Sequence, residues 1–145
     1  MDKFEKAFLL AYEGHGEQTD KGGEAYIKHL MRVAGTVPKL YMPVAILHDY
    51  FEDVMPLSEF RDPLRDMALH LSFLSELEIY ALYLLTRPED VSYAFYIDRL
   101  SSGGSHIART VKIADLKDHL TKGANLTHSM EVRYRKALAS LDFEL

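Results

Sequence analysis

The chain has 145 residues, enough for one domain with a sizeable core, and its 48% hydrophobic and 27% charged content is that of a soluble globular protein. Acidic residues number 22 against 17 basic, a formal charge of −5, which argues against a surface built for duplex DNA or an anionic membrane but leaves room for a small phosphorylated ligand. Cysteine is absent, which excludes disulfides and thiolate zinc sites and fits a cytoplasmic chain, so any metal must be held by nitrogen and oxygen.

Apolar residues recur at helical spacing almost throughout, and no alternating strand of useful length stands out. A first helix is predicted from Asp2 to Tyr12; its apolar stretch is too short and interrupted for a signal peptide. The segment "EGHGEQTDKGG" (13–23) reads as a loop, because Gly14, Gly16, Gly22 and Gly23 all weaken helix. A second helix follows from Glu24 to Gly35. A third runs from Tyr41 to Val54, with Pro43 tolerated in its first turn. Further helices are predicted over Leu57 to Leu71 with a break at Pro63, Glu76 to Leu85, and Val91 to Leu100. "SSGGS" (101–105) is a turn, and helices over His106 to Leu120 and His128 to Leu141 complete the chain. No apolar run reaches the roughly 18 residues of a membrane span. The prediction is an all-α, single compact helical bundle over residues 1–145.

Within the third helix, "VAILHDYFEDV" (44–54) carries four ionisable residues directly behind four apolar ones. His48 and Glu52 are four apart, as are Asp49 and Asp53, so an unbroken helix puts each pair on one strip and the two strips side by side. Carboxylates in an apolar surrounding need a partner, and a bound cation is one remedy. His29 in "EAYIKHLMRVAG" and Asp115 in "TVKIADLKDHL" are ionisable residues carried into apolar helical contexts. His29, His48, Asp49 and Asp115 would supply two nitrogens and two oxygens from three helices, a donor set suited to a divalent transition ion. Taken singly, each has an ordinary alternative. A core histidine with a satisfied hydrogen bond, a buried acceptor or a solvated charge would look the same.

Taken together, His29, the His48-Asp49 doublet and Asp115 in "VKIAD" resemble the metal signature of the HD superfamily of phosphohydrolases. The likeness is greatest to the hydrolase domain of RelA/SpoT-type proteins and their small stand-alone relatives. The segments 15–34, 44–54, 96–100 ("YIDRL") and 111–120 carry it through most of the chain. The resemblance implies an HD-type bundle, one Mn2+ on His29, His48, Asp49 and Asp115, and Glu52 with Asp53 activating the attacking water. It further implies removal of the 3′-pyrophosphate from ppGpp by a stand-alone hydrolase. Candidate substrate contacts are Lys21, Tyr26, Arg32, Lys112 and His119, with Arg99 more simply a solvated charge. Arg133, Tyr134 and Arg135 on the last helix are nucleotide-side or packing residues, and His15, His70, His106 and His128 have no partner pattern.

Four positions depart from the family pattern. An Arg-Lys pair usual in the loop before the first ligand falls on Asp20 and Lys21, two prolines fall on Ala25 and Leu30, and an Asn four residues after the last ligand falls on His119. Asp20 beside a polyanion weakens the case for ppGpp. His119 is either a substrate contact or a hydrogen-bond partner of a ligand carboxylate. A 5′-nucleotidase or triphosphohydrolase of the same superfamily, a non-catalytic nucleotide-binding module, and a structural helical adaptor therefore stay open. Oligomeric state is not legible.

Overall fold

In the computed structural model, which describes residues 1–121 and 126–142, the chain is all-α. Helix α1 spans Lys3–His15 and α2 Tyr26–Gly35. After a 3-10 turn at Lys39–Tyr41 come α3, Met42–Ile46, and α4, Tyr50–Asp53. A second 3-10 turn at Leu57–Glu59 precedes α5 at Pro63–His70. Helices α6 (Glu76–Leu85), α7 (Tyr93–Ser102), α8 (His106–Thr121) and α9 (His128–Asp142) follow. Extended pairing among the described residues is limited to one isolated bridge between Thr19 and Ala25.

Helix starts follow local chemistry. Asp2 with Glu5 and Ser75 with Glu78 form reciprocal capping boxes, and Asp62 and Ser92 cap α5 and α7 through their side-chain oxygens. Pro63 stands at the first position of α5, which is why the predicted break there is a helix start. The turn between α7 and α8 is shorter than expected, since Ser101 and Ser102 are still helical and Gly104 takes the left-handed φ of 78°.

Two boundaries differ from expectation in ways that shape the cavity. Helix α1 continues through Gly14 to His15 instead of ending at Tyr12. A Cβ on Gly14 would lie 2.9 Å from a Val54 methyl and 3.0 Å from the Tyr50 ring. The absent side chain thus lets α1 pack directly on α4, and this contact compensates the roughly 1 kcal/mol that glycine costs a helix. Gly16, at φ 51°, ends the helix with its N–H on Tyr12 O.

The single helix expected over Tyr41 to Val54 is broken. Leu47, His48 and Tyr50 donate to carbonyls three residues back (Val44, Ala45 and Leu47), and Leu47 and Asp49 have ψ near 5°. This tightened turn is one that α-helical spacing does not encode. Its cause is burial. Pro43, Val44, Ala45 and Ile46 are buried, with α3 packed on α1, α2, α6 and α8, so the helix is apolar all round. At its end the chain turns, delivering His48 at 2% exposure to the interior while Glu52 and Asp53 on α4 stay exposed.

A candidate metal centre at the head of a cavity

One ligand atom each from His29, His48, Asp49 and Asp115 lies within 4.8 Å of the others. His29 comes from α2, His48 and Asp49 from the tight turn after α3, and Asp115 from α8. Their hydrogen bonds set the tautomers. His48 Nδ1 is 2.7 Å from Ala45 O, which can only accept, so Nδ1 carries the proton and Nε2 is left bare toward Asp49 (3.1 Å) and Asp115 (3.2 Å). His29 Nδ1 is 2.6 Å from Asp118 Oδ2, so its Nε2 likewise faces Asp115 Oδ1 at 2.9 Å. Two imidazole lone pairs and two carboxylates aimed at one point are unfavourable unless a cation or protons stand among them.

The proton affinities carry the same message. Burial alone would lower the His48 imidazole, but Asp49 and Asp115 raise it well above its usual value. His29 is raised in the same way against its burial, chiefly by Asp115. Asp115 is held well below the usual carboxylate range despite its burial, by Lys112 and His48. Lys112 Nζ donates to Asp115 Oδ2 at 2.9 Å, so only Oδ1 is turned toward the imidazoles. A mixed nitrogen-oxygen set with fixed tautomers fits a divalent cation, which would replace those protons.

Around this cluster opens a cavity of about 420 Å³. Its wall includes Tyr26, Arg32, Glu52, Asp53, Lys112 and His119, together with Gln18, Asp20 and Lys21 from the 16–25 loop. Tyr26 donates its hydroxyl proton to Asp49 Oδ2, and burial with the Asp49 charge keeps the phenol protonated. Glu52 Oε1 accepts the Arg87 backbone N–H at 2.6 Å. Although the residue is exposed, enclosure of its carboxyl by the cavity wall, reinforced by Asp49, pushes it up to about 7. Asp53 is raised by the same desolvation, against a hydrogen bond from Gln18 Nε2 at 3.1 Å.

Among solved structures, the chain resembles a metazoan ortholog of SpoT, described as hydrolysing ppGpp and playing a role in starvation responses. The TM-score is 0.70 at 18% identity, over 97% of this chain and 86% of that one. The two share one fold. No family model and no curated sequence matches the chain.

Arg32, expected as a phosphate contact, lines the cavity with its guanidinium engaged: Nε and Nη2 donate to Asp118 at 2.8 and 3.1 Å, and Nη1 to Glu24 at 2.5 Å. Asp20 Oδ1 accepts the backbone N–H groups of Gly22 and Glu24, so this acid closes the loop's own turn. His119 Nε2 stands 3.2 Å from Asp115 Oδ1, with its ring 4.4 Å from that of His29 and 5.6 Å from that of Tyr134. Lys21 reaches Met130 across the cavity. Arg133 and Tyr134 line it, and Arg135 instead pairs with Glu131 outside. Arg99 lies over the Tyr83 ring, away from the cavity.

Asp118, Gln18, Arg87, Tyr93 and the buried His15 were not singled out as site residues. Asp118 had a signal, since it follows Asp115 by three on one helix face. Arg87 and Tyr93 had none, because they reach the cavity from the α6–α7 connection and the first residue of α7.

Proposed function

We propose that the protein is a metal-dependent phosphohydrolase acting on a nucleotide phosphate or pyrophosphate, with ppGpp the first candidate and its 3′-pyrophosphate bond the one cut. The observation that carries this is the meeting of four ligand atoms within 4.8 Å at the head of a cavity that also holds Glu52 and Asp53. The fold shared with a ppGpp-hydrolysing protein directs the choice of substrate. We read the whole chain as one HD-type domain working in the cytoplasm.

His29, His48, Asp49 and Asp115 would hold one divalent ion, Mn2+ on the family resemblance. When bound, such an ion acidifies water and polarises a phosphoryl oxygen. The chain's own residues do the rest. Asp118 and Ala45 O hold both imidazoles with Nε2 bare. Tyr26 fixes one Asp49 oxygen by donating to it, and Lys112 occupies Asp115 Oδ2. Glu52 is the proton acceptor for the attacking water, because a carboxyl near 7 can both take and return a proton at neutral pH. Asp53, tethered by Gln18, orients the same water. Lys21 from the 16–25 loop, and Lys112 and His119 from α8, face the cavity and receive the substrate's phosphate oxygens.

The test is product analysis on a nucleotide panel including ppGpp, with and without Mn2+. Pyrophosphate or phosphate release that needs metal and disappears in Asp49→Ala supports the reading. A metal-loaded protein inert on the whole panel refutes it. Release of phosphate from nucleoside monophosphates or triphosphates instead would make the protein a nucleotidase or triphosphohydrolase with the same machinery.

A further inference from the structure

His15 is buried at 4% exposure near the end of α1, in a loop-flanked position that the metal cluster does not use. Its Nδ1 lies 2.9 Å from Gln18 Oε1, and its Nε2 has no hydrogen-bond partner among the described residues. A buried imidazole with one nitrogen unsatisfied costs the fold more than an apolar ring of similar size would. Whatever the side chain contributes must come through its bonded nitrogen.

That nitrogen is the second anchor of the Gln18 side chain. The Gln18 backbone is pinned at both ends, its N–H on His15 O and its carbonyl accepting from Tyr26 N–H, each at 2.8 Å. Only the side chain remains to be oriented. A primary amide can turn over, exchanging donor for acceptor at nearly the same shape. Asp53 Oδ2, 3.1 Å from Gln18 Nε2, accepts and does not donate when ionised. The turned-over amide would set its oxygen against that carboxylate, and the amide nitrogen would meet His15. In the turned-over form Asp53 would lose its hydrogen bond, and the amide oxygen, thereby fixed toward His15, takes the Nδ1–H. The polarity therefore runs one way, from imidazole N–H to amide oxygen and from amide N–H to carboxylate. His15 Nδ1 itself stays 4.0 Å from Asp53, so the amide carries the contact.

We propose that His15 is a positioning residue: through Gln18 it holds the Asp53 carboxylate in the direction it takes toward the reaction cavity. The catalytic consequence rests on Asp53 belonging to the hydrolytic site proposed above. The relay itself is a property of the fold and can be read separately.

The experiment uses His15→Phe, His15→Asn and Gln18→Leu in the full chain with two readouts. The first is NMR of the Gln18 side-chain amide in the metal-free protein. Wild type should show slowly exchanging, well-dispersed amide protons; His15→Phe should lose them, and His15→Asn, whose amide nitrogen stands near the place of Nδ1, should regain them. The second is steady-state pyrophosphate release with Mn2+. His15→Phe and Gln18→Leu should each lower kcat by about 10- to 100-fold, the scale of a misdirected catalytic group, with KM and bound metal unchanged, and His15→Asn should recover most of it. Placed on Asp53→Asn, His15→Phe should cost nothing further. An unchanged Gln18 amide in His15→Phe overturns the relay, and so does an equal loss of kcat in the Asp53→Asn background. If His15→Phe does not fold, Gln18→Leu with normal kcat overturns the proposal equally. A wild type inert on every nucleotide sinks the hydrolytic reading alone, because the amide spectra still decide whether His15 orders Gln18.

Discussion

His29 and Glu52 face the same cavity and are held in opposite ways. His29 is 3% exposed, and carboxylates face both its ring nitrogens, the one on Nδ1 gripped in turn by two guanidinium nitrogens of Arg32. Glu52 is exposed, and one backbone N–H from Arg87 fixes it. The contrast fits the roles proposed for the two residues. A ligand set gains from immobility, since every freedom lost before the ion arrives is one not lost on binding. A group that takes and returns a proton must meet water and sit near neutral pKa, which calls for a partly open place.

The sharpest way to break the comparison is to remove a ligand. Asp49→Ala should lower turnover by about 10³-fold or more, the several kcal/mol that a metal contributes, and elemental analysis should show its bound metal lost as well. Glu52→Gln should separate the two halves. It should keep the metal and lower kcat by about 10²- to 10⁴-fold. The wild-type rate should rise with pH through a limb at or below the value of about 7 to which burial and Asp49 push Glu52. A cation at the site would pull that limb down, and the limb should be absent from the glutamine variant's profile.

A smaller effect is expected one layer out. Asp118→Asn should weaken metal affinity by about 10- to 100-fold while leaving kcat near wild type once metal saturates, as a metal titration of both proteins would show. The same substitution carries a stability signature. Burial would raise the Asp118 carboxyl, but Arg32 and His29 hold it below its ordinary value. Its stabilisation is therefore fully present above the unfolded-state value near 3.9 and is lost as pH falls through the folded one. Urea unfolding should find Asp118→Asn weaker at neutral pH and the two proteins converging in acid.

Packing tests the looser half. Gly14→Ala should destabilise by about 1 to 3 kcal/mol, read by urea unfolding, since its Cβ would press on Val54 and Tyr50 beneath the Glu52-Asp53 turn. At the small end, Arg135→Ala breaks an exposed pair with Glu131 and should stay within about 0.5 kcal/mol of wild type.

The donor set was legible because each member is an ionisable residue lodged among apolar ones, a local anomaly in "AILHD", "YIKHL" and "KIADL". The start of α6 at Glu76 was legible as well, since the capping oxygen of Ser75 acts within one turn, whereas α7 begins at Tyr93, two residues after the expected Val91. The engagement of Arg32 by Asp118 was not legible, because that partner is 86 residues away. His15 carried no pattern, since its meaning depends on Gln18 meeting Asp53 across 35 residues.

Chain-local chemistry thus determined an all-helical protein and the residue types able to hold a cation, because capping, periodicity and misplaced charge act over a few neighbours. Only the tertiary structure decided that α3 ends in a tight turn, that Arg32 clamps Asp118, and that α1 runs through Gly14 to deliver His15. Those outcomes depend on which helix faces become buried against one another, and that free energy belongs to contacts between segments far apart in the chain.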